Sequence, residues 1–169
     1  MPTVEERLLR LETGHAVRAC MHRYMALCDA LDLHTPIDEL AALFCRDALW
    51  TGKGARYAKS FGAYRGREAI KAMLASYMKE PAHFAMNAHF LTSELITVAE
   101  DLGSATGSWL MLQTSTFQRG GAHLNAARLT VEFRPEEGRW RMARFETENI
   151  FSRPVDTWQD AALLPVPEQ

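Results

Sequence analysis

Very little in this chain points to a cofactor or a macromolecular partner. The 169 residues contain only three cysteines, Cys20, Cys28 and Cys45. The odd number, with Cys20 and Cys28 in one helical stretch, argues against a disulfide framework. It predicts small buried apolar residues in a reducing compartment, hence a cytoplasmic protein. No Cys/His spacing matches a zinc site and no glycine-rich phosphate loop is present, so any chemistry is expected to proceed without metal or cofactor. Basic and acidic side chains nearly balance, 19 against 21, for a formal charge of −2. That leaves no basic face for nucleic acid and no polybasic anchor for a membrane. No apolar run approaches the ~18 residues of a membrane span. The opening MPTVEERLLRLE is charged where a secretory signal would be apolar.

What is present reads as one domain over residues 1–169, with 47% apolar and 24% charged residues. Residues 4–31 carry one apolar stripe, Val17, Cys20, Met21, Tyr24, Leu27, Cys28 and Leu31, at helical spacing. A second short helix is expected after Thr35 as N-cap and Pro36 in the first position, running to about Phe44. A short strand should end near Trp50. The segment TGKGARYAKSFGAYRG, 51–66, reads as a loop with a little strand, a candidate lid. A third helix is expected over 67–79, ahead of Pro81. The period then changes. Residues 83–98, 104–118, 122–134 and 139–151 read as four strands separated by polar turns. Helices first and long antiparallel strands afterwards imply an α+β fold, with helices on one face of a curved sheet.

Strand alternation sorts the polar residues of the second half. His83, Ala85, Asn87, His89 and Leu91 share one face, and Phe84, Met86, Ala88 and Phe90 share the other. Gly107, Trp109, Met111, Gln113 and Ser115 form a second set, and His123, Asn125, Ala127, Leu129, Val131 and Phe133 a third. Such faces describe a pocket with a greasy floor and a polar rim. Trp50, Tyr57, Phe61 and Tyr64 either wall an aromatic substrate or pack an ordinary loop. The opposite face of the first strand is also apolar, which predicts a homo-oligomer, dimer or trimer, joined through the outer sheet face.

The succession RYMALCDALD, LAALFCRDALW, YRGREAIKAML, HFLTSELITV, SATGSWLML and GRWRMARF resembles the SnoaL-like branch of the nuclear transport factor 2-like superfamily. The motifs are loose individually and fairly specific in their order. The resemblance covers about residues 8–151, with 152–169 left as a tail, and implies a cone of helices on a strongly curved, mainly antiparallel sheet. Relatives include scytalone dehydratase, bile-acid 7α-dehydratase, hexachlorocyclohexane dehydrochlorinase, ketosteroid isomerase, polyketide cyclases and formaldehyde-releasing lyases. Non-catalytic members also exist, among them small subunits of ring-hydroxylating dioxygenases.

In the dehydratase and dehydrochlorinase branches a strand histidine is the base and a helix aspartate orients it. Residue by residue, the resemblance places the base on His89, the orienting carboxylate on Asp29 and an accompanying tyrosine on Tyr24. Asp29 lies about 140° around the helix from Tyr24, off the apolar stripe. Asp32 is closer to the stripe and remains the rival. The position of a second acid falls on Gln113, which cannot donate a proton as an acid but can hydrogen-bond an oxygen. Asn125 falls near an asparagine of the bile-acid enzyme, one residue out of register. Asn87, His83, Trp50 and Tyr64 complete the candidate binding residues, and no metal ligand is expected. The implied activity is a cofactor-independent lyase removing water, halide or formaldehyde from a small apolar, aromatic substrate. An isomerase or cyclase with the same base, or a non-catalytic binding or subunit protein, are the alternatives.

Overall fold

A capping box starts the first helix: Thr3 Oγ1 accepts from the Glu6 amide at 3.1 Å, and the Glu6 carboxylate accepts from the Thr3 amide at 2.6 Å. In the computed structural model, which describes residues 1, 3–156, 158 and 167, this helix, α1, spans Val4–Asp29. Every member of the expected apolar stripe from Val17 to Leu31 is buried, although Leu31 lies two residues beyond the helix. α1 packs on the strands that follow it in sequence, β3 (Phe84–Val98), β4 (Ala105–Phe117) and β6 (Arg139–Val155). With β1 (Phe44–Lys53), β2 (Ala63–Arg65) and β5 (Ala122–Glu136) these form one six-stranded sheet in the order β2-β1-β6-β5-β4-β3. Only the β1/β6 pair is parallel. This is the expected α+β arrangement. No helix among the described residues is long and apolar enough to cross a membrane.

The differences from expectation lie mostly before β3. The second helix, α2, is short, Ile37–Ala41, and Phe44 already belongs to β1. Thr35 is not its N-cap. Its hydroxyl donates to the Ala30 carbonyl at 2.7 Å and accepts from the Asp32 amide at 2.9 Å, tying the turn after α1 instead. β1 is ten residues long, and its exposed Arg46 and Asp47 lie where its pairing with β6 shifts register. Residues 51–66 are not a loop. They hold helix α3, Gly54–Ser60, and β2. The glycines mark boundaries rather than irregular backbone, with Gly54 and Gly62 at φ of 71° and 68°. Tyr57 and Phe61, four residues apart, pack edge to face at 4.8 Å. Helix α4, Arg67–Ala75, ends where the Ser76 hydroxyl bonds back to the Met73 carbonyl at 2.6 Å, well ahead of Pro81. At the other end of the chain, residues 152–155 extend β6 instead of beginning a tail. The tail beyond Val155 lies largely outside the described residues.

Trp109 ties β4 to β3. Its side chain is 2% exposed and folds back over Gly107 on the same strand face, while its Nε1–H donates to Glu94 at 3.1 Å. A Cβ on Gly107 would lie 2.2 Å from the indole ring. Gly107→Ala is therefore expected to destabilise the fold by about 1–3 kcal/mol or more, since the ring has no room to retreat. A thermal melt within 1–2 °C of wild type would contradict this.

Candidate functional site

A cavity of about 270 Å³ opens between α1, α3, α4 and the inner face of β3–β6. Its wall is aromatic and sulfur-rich, with Trp50, Tyr57, Tyr77, Phe117, Met73 and Met111 among the lining side chains. One side is polar, and sheet register explains it. His89 pairs with Gln113, Gln113 with Asn125, and Asn125 with Ser152, so four polar side chains lie on one rung across β3, β4, β5 and β6. Asn87, Ser115 and His123 occupy the corresponding rung two residues away.

His89 is held at two points by one carboxylate oxygen. Asp29 Oδ1 accepts from the His89 backbone amide at 3.0 Å and from ring Nδ1 at 2.6 Å. A carboxylate facing Nδ1 fixes the proton there and leaves the lone pair on Nε2. Nε2 has no hydrogen-bond partner among the described residues. The imidazole side chain is 11% exposed. It is open to the cavity that His89 lines.

Asp29 is the last residue of α1, and the final turn contains no basic residue. A carboxylate at a helix C-terminus opposes the macrodipole, an arrangement that costs about 0.3–1 kcal/mol. The angular argument against Asp29 fails because the helix stops there, which frees its side chain to reach β3. Asp32 does not compete. Its carboxylate accepts from the His34 amide at 2.7 Å and serves the turn.

The model of the SnoaL-like domain matches residues 9–146. The chain belongs to that family. No functionally curated protein is similar enough in sequence to match. Among solved structures, the type 2 hexachlorocyclohexane dehydrochlorinase is 20% identical with a TM-score of 0.72, over 95% of this chain and 99% of the other. The type 3 dehydrochlorinase of Novosphingobium barchaimii LL02 is also 20% identical, with a TM-score of 0.70 over 96% and 99%. A protein of Novosphingobium aromaticivorans DSM 12444, provisionally named a scytalone dehydratase, is 18% identical with a TM-score of 0.69 over 99% and 100%. At these identities the likeness establishes a shared fold.

In this SnoaL-like domain Tyr24 lines the cavity from α1 and its oxygen accepts from Trp50 Nε1–H at 3.2 Å. Burial raises the Tyr24 phenol well above its ordinary range, so it remains a protonated donor at neutral pH. Burial also pushes the Cys28 thiol up to about 12, which makes it a packing group and not a nucleophile. His83 and Phe84 both line the cavity, although alternation assigned them to opposite faces: His83 lies ahead of β3, where alternation does not apply, and a register shift between Phe84 and Met86 brings Phe84 onto the face of Asn87 and His89. Burial lowers the His83 pKa, with Lys79 and Arg119 adding to the effect.

Of the expected binding residues, Gln113, Asn125, Asn87, Trp50 and His83 line the cavity, while Tyr64 does not. Tyr64 pairs with Trp50 across β1 and β2 and packs behind its ring at 6.2 Å. Asp29 does not line the cavity either and touches it only through its bonds to His89. The sequence reading passed over Ser152, placed in the tail, and Ser115, which shares the Gln113 face and could have been chosen on that ground. Tyr77 and Phe117 were also missed, since nothing marks a core aromatic as a cavity wall. Among the described residues no group of three His, Cys, Asp or Glu side chains could hold a metal.

Proposed function

We propose that this SnoaL-like domain is a cofactor-independent lyase acting on a small, largely apolar ring substrate in a cytoplasmic setting. The observation that carries this reading is the His89–Asp29 contact at 2.6 Å, with the imidazole lining a cavity of about 270 Å³. That volume suits a one- or two-ring compound and lies just under the ~300 Å³ lower end of ordinary ligand pockets. Nε2 removes a proton from a substrate carbon, the C–H pair becomes the new double bond, and the leaving group departs with its bonding electrons. Asp29 stabilises the imidazolium that forms. The Tyr24 O–H and the side-chain amides on the polar rung hydrogen-bond the oxygen on which charge develops.

Gln113 bears on the choice of leaving group. It cannot protonate a departing hydroxide, so halide loss or formaldehyde release makes smaller demands on the site than dehydration. For formaldehyde release from a quinone-methide substrate, Nε2 takes a hydroxyl proton, the O–H pair forms the carbonyl of formaldehyde, and the broken C–C pair enters the quinone methide, which rearomatises to a phenolate. The same absence of an acid supports a second reading, an isomerase in which the imidazolium returns its proton elsewhere on the substrate. Incubating the pure protein, with chelator present, with aryl alcohols, diols, halogenated rings and cyclic enones tests both. Water, halide or formaldehyde release marks the lyase, and deuterium uptake without fragmentation marks the isomerase. No turnover of any class, with the compounds seen to bind, would leave a non-catalytic binding protein.

The outer face of the sheet carries an apolar rung next to the polar one. Phe90 pairs with Leu112, Leu112 with Ala126, and Ala126 with Phe151. Phe90 is 51% exposed, Leu112 38% and Phe151 44%. A second copy of the chain offers a matching apolar row, and we propose a homo-oligomer through this face. Light scattering should give a dimer or trimer for the wild type and a monomer for a Phe90→Glu, Phe151→Glu double variant. A wild-type monomer at micromolar concentration would end the proposal.

A further inference from the structure

The hydrogen bonds behind the cavity form a chain of side-chain amides whose polarity is set at one end. Asn87 Nδ2 donates to the Cys28 carbonyl at 3.4 Å. A backbone carbonyl can only accept, so the Asn87 amide must turn its NH2 toward Cys28 and its Oδ1 toward β4. There Oδ1 accepts from Gln113 Nε2 at 2.9 Å and from Ser115 Oγ at 2.8 Å. Gln113 is thereby forced to turn its own oxygen the other way, where it accepts from Asn125 Nδ2 at 3.4 Å. Asn125 Oδ1 in turn accepts from the Ser152 hydroxyl. Reversing any one amide would set two acceptor oxygens or two NH2 groups against each other, so the three orientations stand or fall together.

The consequence concerns what the cavity presents to a ligand. Both Gln113 and Asn125 line it, and each uses one amide hydrogen and its oxygen within the chain. Each has a second N–H without a partner among the described residues. No lysine or arginine lines the cavity, and residues 157–169 contain none. We propose that Asn87 is a positioning residue that fixes Gln113 and Asn125 as paired N–H donors, so that the site selects a neutral ring bearing a hydrogen-bond-acceptor oxygen. That oxygen sits on the β4/β5 side, with His89 beside it on β3. The inference rests on the reading of this cavity as a substrate site, and it adds that a purely hydrocarbon or halocarbon ring leaves the donors unanswered.

A matched pair of probes tests it. 1-Indanone and indane have the same ring skeleton and differ in the acceptor oxygen. Binding is followed by fluorescence of the cavity-lining Trp50, with a Trp50→Phe control, and the indanone carbonyl stretch by difference infrared spectroscopy. The wild type should bind indanone about tenfold or more tightly than indane, since unanswered buried donors weaken the second complex. The bound carbonyl should absorb at the frequency of a hydrogen-bonded ketone, below its position in an alkane. Asn87→Leu should bring the preference to within about threefold and return the stretch toward the alkane value. Gln113→Glu, which replaces a donor with an acceptor, should do the same by an independent route if Asn87→Leu fails to fold. Equal binding of the two probes by the wild type, or an unshifted stretch, overturns the donor assignment alone. An undiminished preference in a folded variant overturns the role of the amide chain. Binding of neither probe overturns the ring-site reading together with this one.

Discussion

Replacing His89 by glutamine is expected to lower turnover by at least about a hundredfold while leaving the fold intact, because a positioned base contributes about 10² to 10⁴. Glutamine is close to histidine in length and can still accept a hydrogen bond, but it cannot take up a proton at neutral pH. The side chain is partly buried and its backbone amide is held by Asp29 independently of the ring. Circular dichroism and thermal melts should therefore remain close to wild type. The assay is kcat on whichever substrate the screen returns, run with and without exhaustive chelation. Unchanged kcat would remove His89 from the mechanism. Loss on chelation that a metal ion restores would instead show that the imidazole serves as a ligand.

The second large effect is expected at Asp29, and the choice of substitution separates charge from geometry. Asparagine retains an oxygen that can accept from both the His89 amide and Nδ1–H, but it brings no negative charge to the imidazolium. Asp29→Asn should lower kcat by about ten- to a hundredfold with little change in KM, as expected for an interaction made mainly in the transition state. Asp29→Ala removes both acceptors. It should cost at least as much in kcat and also about 1–3 kcal/mol of stability, through the unpaired amide of His89. Proton NMR offers a check that does not depend on any substrate. The wild type should show a downfield Nδ1 proton from a ring bonded to a carboxylate, and Asp29→Ala should lack it. Full activity in Asp29→Ala would mean that the ring keeps its orientation without the carboxylate, and the pairing would lose its functional meaning.

Much of the site was legible because strand alternation follows directly from backbone geometry. The period of two put Asn87 with His89 and Gln113 with Ser115 before any contact was known, and the sheet places these groups on the inner face. Alternation failed at His83, which lies ahead of the strand, and at Phe84, which a register shift separates from Met86. Helical periodicity failed at Asp29 for a related reason, since an angle around the axis has no bearing on a side chain at the last residue, beyond which the helix does not continue. The segment 51–66 misled because its glycines sit at element ends, where composition cannot distinguish a boundary from a loop interior.

From its own pattern the sequence determined the α+β succession, the apolar stripe of α1 and the inward faces of the long strands. These depend on periods of 3.6 and 2 that are properties of the local backbone. Its resemblance to the family named the imidazole and the carboxylate. Only the tertiary structure decided that Asp29 and not Asp32 reaches His89, that Tyr64 stands behind Trp50, and that Ser152 closes the rung begun by His89. Those depend on where one element ends and another begins, and on which residues pair across strands far apart in the chain. Neither is written in the spacing of residues along a single segment.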